Sequence, residues 1–331
     1  MIAPIKRREF ITLAGGAVVA WPLAARAQQV GKIWRIGMLD TASRELNSAN
    51  MGVFLEKLRE YGYVEGKNLI IDYRSAGGRN EGLPILVSQL IALNPDVIVL
   101  RGTLEALAVK NATSTIPVVM SAVVDPVAIG VAASLSRPGG NFTGMTSVVT
   151  ELEGKRLGIL KEVVPGMKRV GVLGDHTNPA VQMEWREVQI AARSLMIDAI
   201  VFDVRHAADV SHAFDVAVSE KLDALLVRVD GTTRPNRQLI IDLAAIHKLP
   251  AIYSAKEFID EGGLIAYAVS YVDLYRRAAS LVEKIFKGAK PSELPIERPT
   301  KFELVLNLKT ARALGLTFPP GVLATTDEVI E

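Results

Sequence analysis

Polar side chains follow several short apolar runs in this sequence, and their types suit the binding of a small molecule by hydrogen bonds and ion pairs. A guanidinium such as that of Arg101 would pair with a ligand carboxylate, and a carboxylate such as that of Asp230 would pair with a ligand ammonium group. The aromatic side chains among them would form apolar walls. The candidate ligand-binding residues are Thr41, Ser43, Arg101, Thr103, Ser121, Asp125, Asn178, Asp230, Tyr253 and Tyr267.

Each candidate also has a purely structural interpretation, and the residues alone leave both open. Thr103, Asn178 and Asp125, which precedes a proline, have the side chains that cap helix N-termini. Asp230 precedes Gly231, as turn aspartates do. Arg101 could extend to solvent or pair with a neighbour, and the two tyrosines could pack in a core.

Residue patterns typical of enzymes are missing from the sequence. It contains no G-x-G-x-x-G after a strand, no phosphate-binding loop and no G-x-S-x-G nucleophile elbow. The four histidines have no zinc-protease spacing, and the absence of cysteine excludes disulfides and thiolate metal sites. We therefore expect no cofactor and no metal, although an enzyme on the same scaffold stays open because fold does not determine function.

The apolar runs form two series in which strands alternate with amphipathic helical segments. Short runs rich in Val, Ile and Leu are typical of strands covered on both faces, and their alternation with helices predicts parallel sheets. The first series is predicted at residues 35–39, 69–73, 97–100 and 117–120, and the second at 169–173, 199–204, 224–229 and 251–253. The fold class is therefore α/β, with two doubly wound parallel-sheet lobes.

Further segments suggest that the chain passes between the lobes more than once. Residues 142–149 and 264–269 are predicted as connecting strands, followed by a helix from Asp273 to Gly288, a strand at 303–306 and a helix at 308–314. This predicts one lobe of residues 28–147 plus 270–298, a second of 148–269 plus 299–331, and a multi-stranded hinge. A hinge of this kind allows closure around a ligand.

The first 27 residues have the layout of an export signal. A basic segment with Arg7 and Arg8 precedes an apolar run, and the triplet 25–27 (ARA) predicts cleavage after Ala27. The arginine pair followed by Phe10 and an aliphatic residue resembles a twin-arginine signal, with an ordinary signal as the alternative. We expect a periplasmic protein without a lipid anchor, because no cysteine follows the signal.

Charge argues against a nucleic-acid partner. The sequence has 38 basic and 36 acidic residues; residues 1–27 carry four basic and one acidic side chain, so 34 basic and 35 acidic residues remain, a net charge of about −1. A near-neutral chain without a basic cluster is a poor ligand for phosphate backbones.

Several short segments, in order along the chain, resemble the TrpX-like family of ABC-transporter substrate-binding proteins. They are residues 62–68 (GYVEGKN), 125–127 (DPV), 138–144 (PGGNFTG), 261–264 (EGGL), 273–279 (DLYRRAA) and 307–311 (NLKTA). The resemblance implies a type I periplasmic-binding fold and a cleft for a small solute, with amino acid-like or aromatic solutes favoured.

The same resemblance implies its partners, an ABC permease and its ATPase in the inner membrane, and a protein that is a monomer and not an enzyme. An exported sensor that reports the solute to a membrane signalling partner remains the alternative, since both functions use closure around a ligand.

Overall fold

A computed structural model describes residues 31–147 and 152–331, and it contains two sheets. The first sheet has the strand order β2-β1-β3-β4-β5, and all its neighbouring strands are parallel. Its strands are β1 (Trp34–Asp40), β2 (Leu69–Ser75), β3 (Val97–Arg101), β4 (Val118–Val123) and β5 (Phe142–Thr146). The predicted export signal, residues 1–27, lies outside the described residues.

The second sheet has the order β12-β11-β10-β9-β8-β6-β7. Its strands are β6 (Arg169–Gly174), β7 (Asp198–Asp203), β8 (Ala224–Val227), β9 (Ala251–Tyr253), β10 (Ile265–Val269), β11 (Phe302–Asn307) and β12 (Glu328–Ile330). Only the β10–β11 pair is antiparallel among the described pairings of this sheet. Two parallel-dominated sheets confirm the predicted α/β class.

Helices cover both sheets. They are α1 (Ser48–Glu60), α2 (Leu83–Ala92), α3 (Thr103–Ala112), α4 (Leu152–Val163), α5 (Pro179–Leu195), α6 (Ala207–Ser219), α7 (Arg237–Ile246), α8 (Glu257–Asp260), α9 (Tyr271–Phe286), α10 (Leu308–Leu314) and α11 (Pro320–Ala324). Within the described ranges, no helix is long and apolar enough to cross a membrane.

The long helix α9 returns the chain to the first sheet. Leu274, Ala278 and Val282 are fully buried in one cluster with apolar residues of β1, β3 and α1, a spacing that places them on one helical face. We call the first sheet with α1–α3 and α9 lobe 1, and the second sheet with α4–α8, α10 and α11 lobe 2. Segments passing between the lobes contact each other, since the Ser270 N–H donates to the Lys301 carbonyl oxygen at 3.0 Å.

Most predicted boundaries differ from the observed ones by one to three residues. Helix α9 begins at Tyr271 rather than at Asp273, because the chain leaves its extended conformation at Ser270. The strand predicted at 224–229 ends at Val227, and a turn at residues 231–236 follows it. Strand β5 ends at Thr146 and not at residue 149; residues 148–149 lie outside the described part.

Candidate functional site

A cleft between the two lobes contains six of the ten predicted residues. Its empty volume, including the open solvent at its mouth, is about 1080 Å³. The carboxyl ends of β1, β3 and β4 meet those of β6 and β8 there, as expected for ligand sites of parallel sheets. The six residues lining the cleft are Thr41, Arg101, Thr103, Asp125, Asn178 and Asp230.

The other four predicted residues lie away from the cleft lining. Ser121 is buried inside the sheet and donates to the Leu100 carbonyl oxygen at 3.0 Å. Tyr253 is buried in the core of lobe 2, where it stacks on Phe258 at 4.7 Å. Ser43 and Tyr267 also lie outside the cleft lining.

Ser43 and Tyr267 make local contacts. The Ser43 hydroxyl accepts from the Leu46 N–H at 3.3 Å, which closes a turn before α1. Tyr267 is half-buried, and its hydroxyl accepts from Lys155 at 3.4 Å.

Three candidates do cap or close turns, while they also face the cleft. The Asn178 side chain accepts from the Ala180 N–H at 3.0 Å and caps α5. The Asp125 carboxylate accepts from the Ala128 N–H at 3.0 Å, in a turn rather than a helix. The Asp230 carboxylate closes a turn by accepting from backbone N–H groups of the residues that follow it.

The Asp230 carboxylate is occupied by backbone donors. Oδ1 accepts from the N–H groups of Thr232 and Thr233, each at 2.8 Å, and Oδ2 accepts from the Asp175 N–H at 2.8 Å. Burial raises its pKa, and these hydrogen bonds act against that effect. Asp230 therefore holds the loops of lobe 2 at the cleft, with little capacity left for a ligand ammonium group.

A buried cluster of charges forms the lobe 2 wall. Glu153 at the start of α4 accepts from both Arg156 and Arg228, and the Arg228 Nε donates to Glu184 at 3.0 Å. The Arg156 Nε donates to the Tyr267 carbonyl oxygen at 2.7 Å. Burial disfavours the charge of Arg228, yet Glu153 and Glu184 raise its pKa above the ordinary value. Arg228 thus keeps its charge beside the two carboxylates at the cleft.

Three buried polar atoms at the cleft have no hydrogen-bond partner among residues 31–147 and 152–331. They are Arg101 Nη2 and Thr103 Oγ1 on lobe 1 and Glu153 Oε2 on lobe 2. Thr103 is the first residue of α3 and Gly102 precedes the helix, so the Thr103 hydroxyl is not its N-cap. An unpaired buried polar group costs about 1–3 kcal/mol, so a ligand that supplied partners to these three atoms would gain that free energy on binding.

The lobes are closed onto each other in this structure. Arg234 of lobe 2 is buried, and its guanidinium forms an ion pair with Asp40 of lobe 1 and donates to the Asn47 side chain at 2.7 Å. Elsewhere on the seam, the Asn80 side-chain amide of lobe 1 donates to Asp175 of lobe 2 at 3.1 Å. These contacts belong to a closed arrangement, because each joins residues of opposite lobes.

Glu105 at the N-terminal turn of α3 also lines the cleft. Burial raises its pKa to about 8, and the nearby charge of Asp40 acts in the same direction. Glu105 is therefore mostly protonated at neutral pH, so its carboxyl can donate a hydrogen bond.

We expect Glu105→Gln to stabilise the protein by about 4 kcal/mol at pH 9 and by less than about 1 kcal/mol at pH 5. A carboxyl group whose pKa is higher in the folded than in the unfolded state contributes stability at low pH. That contribution is lost as the pH rises from the ordinary pKa of a glutamate through the raised value of about 8. Glutamine does not ionise and avoids that loss. Urea unfolding at both pH values measures the difference, with the exposed Glu162→Gln as control. Equal effects of Glu105→Gln at both pH values would contradict the argument.

The sequence reasoning missed most of the charged residues at the cleft. They are Glu105, Glu153, Arg156, Glu184, Glu187, Arg228 and Arg234. One signal was available: Arg228 ends an apolar run (ALLVR) in the same way as Arg101 ends another (VIVLR). A charge at the carboxyl end of a buried strand is unusual, and applying that rule to both runs would have identified Arg228.

Two α/β lobes closed over a cleft lined with charged and apolar groups define a small-molecule-binding protein. The family of ABC transporter substrate binding proteins matches residues 38–330 of this sequence. This chain belongs to that family, which confirms the resemblance found in the sequence. Its members are binding proteins rather than enzymes, with a small-molecule solute and ABC transporter partners.

Similar proteins agree with this assignment. A tyrosine-binding protein of Clostridioides difficile (strain R20291) is 27% identical over 271 residues, which are 82% of this chain and 77% of that protein. An ABC domain from Streptococcus pneumonia, solved in complex with L-Trp, is 26% identical with a TM-score of 0.82, covering 90% of this chain and 99% of that one. A conserved domain protein from Vibrio cholerae O1 biovar eltor is 28% identical with a TM-score of 0.83, covering 90% and 100%. The fold is the type I periplasmic-binding fold.

Proposed function

We propose that this protein is a periplasmic receptor that captures an amino acid, with an aromatic side chain favoured, and delivers it to an ABC importer. The observation that carries the proposal is the set of three unpaired polar atoms in the cleft. They are of two kinds, hydrogen-bond donors on lobe 1 and a carboxylate oxygen on lobe 2. An amino acid has the complementary groups at one end of the molecule.

The lobe 1 donors would bind the carboxylate. Arg101 Nη2 and the Thr103 hydroxyl lie next to the N-terminus of α3, whose first N–H groups have no partner within the helix. The helix dipole favours an anion at this end. The cleft therefore offers a carboxylate a full positive charge, a hydroxyl and backbone donors.

The lobe 2 carboxylate would bind the ammonium group. Glu153 Oε1 is shared by Arg156 and Arg228, whereas Oε2 is buried without a partner. An ammonium group has three donors and would supply the missing hydrogen bond. Because donors and acceptor belong to different lobes, the amino acid would bridge them and favour closure.

The solute side chain would occupy the apolar part of the cleft. The lining there includes Leu104, Val124, Val181, Met183 and Tyr271, residues that suit a large apolar group. The relatives whose names mention tyrosine and L-Trp support an aromatic amino acid.

A ligand panel tests the proposal. We expect tryptophan, tyrosine or phenylalanine to raise the unfolding temperature of the purified protein by several degrees, since a ligand at 100 times its Kd adds about 2.7 kcal/mol. The matched decarboxylated amines and the N-acetylated amino acids should give a much smaller rise. A rise with sugars or nucleosides and none with any amino acid would contradict the proposal.

Cellular uptake separates the importer role from the sensor alternative. We expect deletion of this receptor to reduce uptake of the labelled amino acid, and re-expression to restore it. Unchanged uptake with an altered transcriptional response to the amino acid would instead assign a sensor.

We also propose that the exported protein starts after Ala27 and acts as a monomer. Mass spectrometry of the periplasmic protein measures where it starts, and light scattering measures its oligomeric state.

A further inference from the structure

Glu257 links the two lobes without belonging to the cleft lining. This residue begins α8 of lobe 2, and its Oε1 accepts from Arg101 Nη1 at 2.8 Å and from Asn50 Nδ2 at 2.7 Å, both in lobe 1. Its Oε2 accepts from Arg234 Nε of its own lobe at 3.2 Å. Burial opposes ionisation of Glu257, yet the charges of Arg101 and Arg234 hold its pKa well below the usual range. Glu257 is therefore an anion that spans the seam.

The contact with Glu257 determines how Arg101 is presented to the cleft. The Arg101 guanidinium lies 3.9 Å from the centre of the Tyr271 ring, and its Nη1 is bound to Glu257. These two contacts restrict the guanidinium plane and leave Nη2 buried and unpaired at the cleft. Since Glu257 is in lobe 2 and Arg101 in lobe 1, this orientation is complete only when the lobes are closed.

We propose that Glu257 is a positioning residue that orients Arg101 towards the carboxylate of the solute on closure, so that closure and recognition of a carboxylate are coupled. The inference rests on the proposed function and deepens it, because it assigns the preference for free carboxylates to a residue outside the cleft lining. A solute without a carboxylate gains nothing from the oriented guanidinium. Glu257 therefore contributes to specificity as well as to closure.

Calorimetric titration of Glu257→Gln with two solutes tests the coupling. The two solutes are the amino acid that the unaltered protein binds best and its carboxamide, which has the same side chain and ammonium group. We expect about a 10-fold weaker affinity for the amino acid and less than about 3-fold for the carboxamide, within the usual range of coupling between sites. The matched control is Glu261→Gln, four residues further on, whose carboxylate pairs with Arg237 inside lobe 2; it should change neither affinity.

A second variant keeps the test decisive if Glu257→Gln folds poorly. The quantity compared is the affinity for the amino acid divided by the affinity for the carboxamide. In an Arg101→Ala background, Glu257→Asp should leave this ratio unchanged, whereas in the unaltered background it should lower it. Equal losses for both solutes in Glu257→Gln, or the same ratio in all variants, would overturn the positioning role. Absence of amino acid binding by the unaltered protein would overturn the proposed function as well, so the two failures are distinguishable.

Discussion

Replacement of Gly231 by valine should disfavour closure of the lobes and weaken solute binding by about 10-fold, because affinity falls with the fraction of molecules that can close. Gly231 follows β8 on lobe 2 and faces lobe 1 across the seam. A Cβ at this position would overlap the Asn80 side-chain oxygen and lie 3.0 Å from Thr41 Cγ2. Its φ lies outside the left-handed region, so the substitution strains closure rather than the local backbone.

Two measurements distinguish such a wedge from general damage. Small-angle scattering should show a larger radius of gyration for Gly231→Val than for the unaltered protein, while the free energy of unfolding stays within about 1 kcal/mol. Gly140→Val is the control, since nothing lies within 4 Å of a Cβ there and its backbone is also outside the left-handed region. Unchanged scattering together with unchanged affinity for Gly231→Val would show that the seam tolerates the side chain.

Replacement of Arg228 by methionine should lower the free energy of unfolding by about 3–5 kcal/mol, the usual cost of breaking a buried ion pair. Arg228 is 3% exposed and pairs with Glu153 and Glu184. Glu153 would keep Arg156, whereas Glu184 would lose the one cation with which it pairs among residues 31–147 and 152–331. The Glu184 side chain is 22% exposed, and a partly buried carboxylate that loses its partner is disfavoured.

The loss should be larger at pH 8 than at pH 5. Burial already raises the pKa of Glu184, and removal of Arg228 raises it further, so the folded variant binds a proton more readily than the unfolded chain. The destabilisation of the variant is then complete at pH values above the raised pKa of Glu184. It disappears as the pH falls below the ordinary pKa of a glutamate. Urea unfolding at both pH values measures it. Arg169→Met replaces an arginine of the same lobe whose side chain is 35% exposed, and it should cost less than about 1 kcal/mol. Equal losses in the two variants would contradict a buried cluster.

The strands were predictable because burial on both faces leaves a strong local pattern. The runs that became β1, β3 and β8 are short, apolar and rich in Val, Ile and Leu, and this is sufficient to predict parallel strands. The cleft end of each sheet followed from the same assignment, since loops after parallel strands lie at one edge. Thr41, Arg101 and Asn178 were found in this way.

Local pattern could not separate cleft residues from core residues of the same type. Tyr253 ends β9 and is buried by the neighbouring helix α8, whereas Ser121, which follows the predicted strand 117–120, lies inside the longer β4 and bonds to the strand beside it. Whether a side chain at a strand end faces the cleft depends on what packs above it. That packing involves segments distant in the sequence.

The sequence by itself determined the α/β class, the two series of strands, the binding-protein family and the edge at which a ligand would bind. Only the tertiary structure decided which charges meet there. Glu153 pairs with Arg228 across 75 positions and Asp40 with Arg234 across 194. An ion pair requires two groups within about 4 Å, and such distances between remote residues arise only when sheets, helices and lobes have packed. Apolar periodicity is a property of each segment, whereas the electrostatics of the cleft is a property of the closed molecule.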